Sequence, residues 1–317
     1  MTANTPQGSG GAAASGDARP SGTDTGSATP PDPLLPLAEL PGAAEAVAGM
    51  RKAVDRVYGH RVMRRRSAEV SSEAALRGAR ASAALAGADW ALEEVRRRGD
   101  FSADPEARIM GAALRVSAEA GQLLDIWRAS PLRVLARLHL VAAGGAPLGA
   151  SAGTAGRTGT AGRVEHPAVG RPRLAGEDVD DPDGPALPLP SVDETAARLE
   201  ALARLVVSGS GAPALVTAAV VHGELMALRP FTSHNGVVAR AAERIVLVGG
   251  GLDPKGVAPC EVGHAEQGAE AYREALGDYA SGTAAGMARW IAHCGRAAEL
   301  GARESVAVCE ALQRGAA

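Results

Sequence analysis

Aromatic side chains are scarce in this sequence: two Phe, three Tyr and three Trp make up 3% of its 317 residues. So few rings leave no stacking platform for single-stranded nucleic acid, and Trp90, Trp127 and Trp290 are read instead as anchors between helices. Cysteine is also rare. Cys260, Cys294 and Cys309 are an odd number without paired spacing, so reduced thiols are expected. Neither Cys260 with His264 nor His293 with Cys294 completes a zinc set, and no structural metal is expected. Long apolar runs are missing too. Nothing in the N-terminal stretch has the apolar core of a secretory signal, and no later run reaches the ~18 uncharged apolar residues of a membrane span. A cytoplasmic protein without a membrane partner is expected. Charge of one sign does not dominate, since the net charge is −3. The basic cluster Arg51, Lys52, Arg56, Arg61, Arg64, Arg65 and Arg66 is therefore read as a solvated helix face, and nucleic acid is not an expected partner.

What is present is alanine, leucine and valine at helical spacing. Residues 1–34 are rich in Gly, Ser, Thr, Ala and Pro, with hardly a large apolar side chain, and are expected to form a disordered tail. Residues 35–143 read as an N-terminal helical lobe, with helices near 40–66, 69–98, 104–128 and 131–142. Residues 144–190 read as a flexible insertion: a Gly/Ala/Thr/Ser run up to 162, then a proline-rich stretch of short extended runs. Ser191, with Glu194 after it, is a helix N-cap signal that opens a core spanning 191–317. Within that core, 212–228 is apolar around its whole circumference apart from Thr217, His222 and Glu224, the pattern of a central buried helix. His222 on it is read as a satisfied core histidine. A second helix is expected over 237–248, closed by Gly249, Gly250 and Gly251. The fold class is all-α.

Between those two helices lies a polar turn, Arg229-Pro230-Phe231-Thr232-Ser233-His234-Asn235-Gly236. Free N–H groups of the second helix's first turn, together with its dipole, favour an anion at Asn235 and Gly236. The order of residues resembles the signature of the Fic (Fido) nucleotide transferases, His-x-Phe-x-Asp/Glu-Gly-Asn-Gly/Lys-Arg-x-x-Arg. Phe231, Asn235, Gly236 and Arg240 match in register; Arg229 replaces the histidine, Ser233 the acidic residue, His234 the first glycine and Val237 the first arginine. His222 before the loop, Gly251-Leu252-Asp253-Pro254 after it, and stretches around Tyr272 and Trp290 extend the likeness over roughly residues 45–300. The resemblance implies a Fic-like helical bundle with a small β-hairpin flap, the flap falling in 163–192, where a protein target would dock by main-chain pairing. It also implies an inhibitory motif, Ser/Thr-x-x-x-Glu-Gly/Asn, matched by Ser82 and Gly87 with Ala86 at the place of the glutamate.

The substitutions decide what chemistry the resemblance can carry. In the family the loop histidine is a general base, and Arg229 cannot be one, because a guanidinium stays protonated near neutral pH. Loss of a base costs about 100- to 10,000-fold in rate. Ser233 is a poorer magnesium ligand than a carboxylate, whereas Arg240 keeps a forked donor for an oxyanion. The expected function is a binding or regulatory protein whose nucleotide or phosphate site is made by Phe231, Ser233, Asn235, Gly236 and Arg240, with ATP or another nucleotide plus magnesium as the ligand implied by the resemblance. Two alternatives stay open: an altered nucleotidyltransferase (AMPylase-like) in which His234, which titrates near neutrality, is the catalytic base, and a non-catalytic helical scaffold. Self-association is open as well.

Overall fold

A helix with no polar face has to be surrounded by other helices, and residues 214–228 are: nearly every side chain of that helix is buried. In the computed structural model, which describes residues 31–144 and 168–315, the order of elements is α1 (Leu35–Ala38), α2 (Ala43–Gly59), α3 (Met63–Leu85), α4 (Leu92–Arg97), α5 (Pro105–Ala120), α6 (Leu124–Trp127), α7 (Pro131–Ala142), α8 (Val192–Ser208), α9 (Ala214–Leu228), α10 (Asn235–Gly249), α11 (Cys260–Gln267), α12 (Ala269–Ala280) and α13 (Ala284–Gln313). Most of the expected tail and the Gly/Ala/Thr/Ser run of the insertion, 1–30 and 145–167, lie outside the described residues.

Helix α9 pairs with α10, and the 30-residue α13 runs along α2 and α11. Helices α3, α5 and α7 cover the other side of α10. Local chemistry explains where the helices stop. The segment expected as one helix over 69–98 ends at Leu85, because Gly87 takes φ 101° and Ala88 N–H returns to the Ala83 carbonyl at 2.9 Å, a left-handed glycine cap. Helix α8 starts where its cap signal puts it, with Glu194 N–H donating to Ser191 Oγ at 3.1 Å. The tryptophans tie helices together: Trp290 is fully buried and donates its indole N–H to the Ala219 carbonyl on α9 at 2.7 Å. The basic residues Arg51, Lys52, Arg56, Arg61, Arg64 and Arg65 are exposed.

The β-hairpin flap is not found among the described residues 168–190. Their only strand-like feature is an isolated parallel bridge between Asp180 and Ser233. No described helix is long and apolar enough to cross a membrane.

Packing of α11 against α13 depends on a residue without a side chain. A Cβ on Gly263 would stand 1.9 Å from the Ala297 carbonyl oxygen, so Gly263→Ala should force the helices apart and destabilise the fold by about 1–3 kcal/mol. Gly277, inside α12 with nothing within 4 Å of an added Cβ, should instead gain up to about 1 kcal/mol from the same change, through helix propensity. Urea unfolding midpoints check the opposite signs; a Gly263→Ala midpoint equal to wild type would mean that the contact carries no constraint.

Candidate anion site

Helix α9 ends at Arg229, whose left-handed backbone (φ 43°, ψ 64°) turns the chain, and Pro230 prevents the helix from continuing. The loop is then closed by one side chain. Asn235 accepts from Phe231 N–H at 2.8 Å and donates to the Phe231 carbonyl at 2.9 Å. His234 caps α10 in the left-handed region (φ 59°, ψ 19°), the conformation its glycine position called for and one that histidine enters more readily than most residues. The Phe231 ring stacks on His139 at 4.2 Å between centroids.

The segment before α8 lies along this loop. Arg173 N–H donates to the Pro230 carbonyl at 2.7 Å and Asp180 N–H to the Thr232 carbonyl at 2.8 Å. Main-chain pairing that the flap was expected to offer a target is here spent on the chain's own loop. Arg229 faces the same segment, donating to the Pro185 carbonyl at 3.3 Å and the Leu187 carbonyl at 2.5 Å. The residue that replaces the family's base is a tie between loop and segment.

Arg240 is the centre of the site. It is buried on the inner face of α10, with Nε donating to Ser82 Oγ at 2.9 Å and Nη2 to the Ser82 carbonyl at 3.0 Å. Nη1 donates to Asp183 Oδ2 at 2.6 Å and to the Tyr272 hydroxyl at 3.3 Å. Burial works against its charge, but Asp183 and Tyr272 more than offset that and hold Arg240 protonated. Ser82 thus bonds Arg240 through both its hydroxyl and its carbonyl, a contact that the resemblance did not imply. Ala86, one residue past the end of α3, brings no carboxylate, and Gly87 serves as the helix cap.

The carboxylate comes from elsewhere. A Cβ on Gly236 would lie 2.1 Å from Asp183 Oδ2, so only glycine allows Asp183 to sit against the first turn of α10. It takes the position, beside the helix N-terminus and Arg240, at which a phosphate was expected. Asp181 is half-buried nearby, with both carboxyl oxygens shut off from solvent; burial, then the Asp183 charge and a hydrogen bond to Asp183, push its pKa well above the ordinary 3.8. Among the described residues no hydrogen bond or ion pair joins Ser233 or His234 to Arg240; Ser233 Oγ and His234 Nδ1 are bonded to each other at 2.8 Å. Burial, then Arg115, lowers the His234 pKa. Sequence reasoning missed Asp181 and Asp183, although the run Glu177-Asp178-Val179-Asp180-Asp181-Pro182-Asp183 concentrates acid next to a loop expected to bind anions.

Asp181 links this site to pH. Its folded-state pKa is raised, so the native state keeps a proton that the unfolded chain releases near 3.8, and stability falls as pH rises above that value. Asp181→Asn removes the ionisation while keeping the shape. It should be about 1 kcal/mol more stable than wild type at pH 7, with the gain shrinking as pH falls towards 3.8. Unfolding midpoints at several pH values check this; a gain independent of pH would place the effect in packing.

No protein-family model matches the chain, and no curated protein does. Solved structures do. A Fic family protein from Desulfovibrio desulfuricans G20 superposes with a TM-score of 0.60 at 18% identity, over 84% of this chain and 75% of that one. Fic-1 from C. elegans superposes with a TM-score of 0.54 at 16% identity, over 83% and 72%. Likeness at such identities is likeness of fold, and this chain has the Fic fold.

Proposed function

We propose that this protein is a regulatory binding domain whose nucleotide or phosphate site is closed by its own carboxylate, and that it does not carry out ordinary AMP transfer. The observation behind this reading is Asp183, seated on Arg240 and against Gly236. A phosphate has to displace it. Arg229 argues in the same direction, since a protonated guanidinium bonded to two carbonyls cannot take a proton from a substrate hydroxyl. The residues do not fit a carboxylate-held magnesium at the family's acidic position: Ser233 is neutral there and its hydroxyl is bonded to His234. A protein partner would be read by side chains of the covering segment, where Leu174, Leu187 and Leu189 are exposed.

Calorimetry with ATP, with and without magnesium, tests the reading. Asp183→Ala should bind at least about tenfold more tightly than wild type, because no carboxylate competes for Arg240. Asp183→Ala also leaves a buried cation, so its folding is checked by circular dichroism and compared with Asp183→Asn, which keeps a hydrogen-bond acceptor. Lack of binding by a folded Asp183→Ala would leave the scaffold reading.

The 2.8 Å contact between Ser233 and His234 supports the second reading, an altered nucleotidyltransferase with His234 as base. On the binding reading, incubation with labelled ATP and candidate proteins gives no covalent label, and His234→Ala changes nucleotide affinity only slightly. Label that His234→Ala abolishes would establish the enzyme.

A further inference from the structure

Beyond Arg240, further along α10, lies a second buried polar cluster. Glu243 is fully buried, its Oε2 standing 2.9 Å from His222 Nδ1 on α9 and 3.1 Å from His264 Nε2 on α11. Cys294 on α13 completes a set of four buried residues whose donor atoms all lie within 4.8 Å of one another. Four separate helices bring these side chains together.

Two details separate this cluster from an ordinary buried hydrogen-bond network. His222 Nδ1 and Glu243 Oε1 have no hydrogen-bond partner although both are sealed from solvent, and unpaired buried polar atoms are costly. His222 Nδ1 approaches Glu243 Oε2 at 2.9 Å and His264 Nε2 is hydrogen-bonded to the same oxygen at 3.1 Å, so one carboxylate oxygen faces both imidazoles while Oε1 stays unpaired. The other ring nitrogens are held from outside: His222 Nε2 lies 2.7 Å from the Tyr272 hydroxyl, and His264 Nδ1 lies 3.1 Å from His293 Nε2. Outer partners of this kind fix the ring orientation and tautomer of metal-binding histidines.

We propose that His222 Nδ1, Glu243, His264 Nε2 and Cys294 Sγ bind one zinc(II) ion in a closed, structural site. Two imidazoles, a carboxylate and a thiolate are a tetrahedral zinc donor set. Its charge balances: zinc(II) with one carboxylate, one thiolate and two neutral imidazoles is neutral, which suits a site without water. Zinc–nitrogen bonds near 2.0 Å and zinc–sulfur bonds near 2.3 Å put neighbouring donors about 3.3–3.7 Å apart, so on loading the two imidazole–carboxylate pairs, at 2.9 and 3.1 Å, open by a few tenths of an ångström while the widest pairs, at up to 4.8 Å, close by up to about 1 Å. Loading breaks the Cys294 S–H bond, forms the zinc–sulfur bond and releases the proton to solvent, and the proton by which His264 Nε2 bonds Glu243 moves to Nδ1, which faces His293 Nε2. Without a cation, burial and the Glu243 charge keep the Cys294 thiol protonated. For Glu243, burial alone would raise the pKa, and the two imidazoles outweigh it. With all four positions taken by protein, the ion has no open coordination site for a substrate.

The full-length protein tests this, stripped with a chelator under reducing conditions and titrated with zinc or cobalt(II). One equivalent of zinc by elemental analysis, a rise in melting temperature, and thiolate-to-cobalt charge-transfer absorption are expected. Cys294→Ser should lose that absorption and weaken zinc binding about tenfold or more, whereas Cys309→Ser, at a buried thiol outside the cluster, should change neither. Where Cys294→Ser does not fold, X-ray absorption of the zinc-loaded wild type decides, with one sulfur and three nitrogen or oxygen neighbours expected. Failure of the stripped protein to take up zinc, absorption that survives in Cys294→Ser, or a zinc shell without sulfur would overturn the proposal.

Discussion

The structure depends on a guanidinium that has no access to water. Arg240 is fully buried, and a buried cation persists only when its donors are matched. Its partners come from far apart in the sequence: Ser82 at the end of α3, Asp183 in the covering segment and Tyr272 on α12. Each is a place where the chain is pinned to α10. Nor is Arg240 the only charge on that helix. Glu243 meets His222 and His264, and Arg244 meets Ser117 and Glu261. Helix α10 thus organises its neighbours through charge as well as through its apolar face.

That arrangement separates shape from chemistry in the loop. Its shape rests on the Asn235 clamp, the left-handed angles at Arg229 and His234, and the Pro230 helix stop, and none of these needs a base or a metal. At positions 229, 233 and 237, where the resemblance implies a base, an acid and an arginine, this chain has Arg, Ser and Val. The anion preference of the helix end belongs to the backbone and therefore survives, which is why a carboxylate is found there.

Much of the fold was legible because it is local. All-round apolarity over 212–228 and renewed apolarity over 237–248 correspond to α9 and α10, and Ser191 caps α8. The single helices expected over 40–66 and 69–98 are each interrupted, at His60, whose extended backbone ends α2, and at Gly87, whose φ is positive; the alanine-rich pattern runs through both positions. Ser82 was singled out through the resemblance, but its contact with Arg240, 158 residues on, was not. The hairpin was not legible: prolines and short extended runs suit a flap, yet they equally suit a single strand-like stretch laid on a loop, and only the loop's free carbonyls distinguish the two. Sequence reasoning also looked for metal ligands at local spacing and found that Cys260–His264 and His293–Cys294 failed. His222, Glu243, His264 and Cys294 form no local pattern, because each is delivered by a different helix.

Tyr272 connects the two buried clusters. Its hydroxyl lies 2.7 Å from His222 Nε2 and 3.3 Å from Arg240 Nη1, so one phenol serves both the histidine beside Glu243 and the guanidinium that holds Asp183. Burial pushes its pKa well up, which leaves it a neutral hydroxyl able to donate in one direction while accepting from Arg240. The direction of its own proton is set by the tautomer of His222: a bare Nε2 accepts a hydrogen bond from the phenol, and a protonated Nε2 donates one to it. One phenol thus stands within hydrogen-bond reach of both clusters, and α10 carries a residue of each, Arg240 and Glu243.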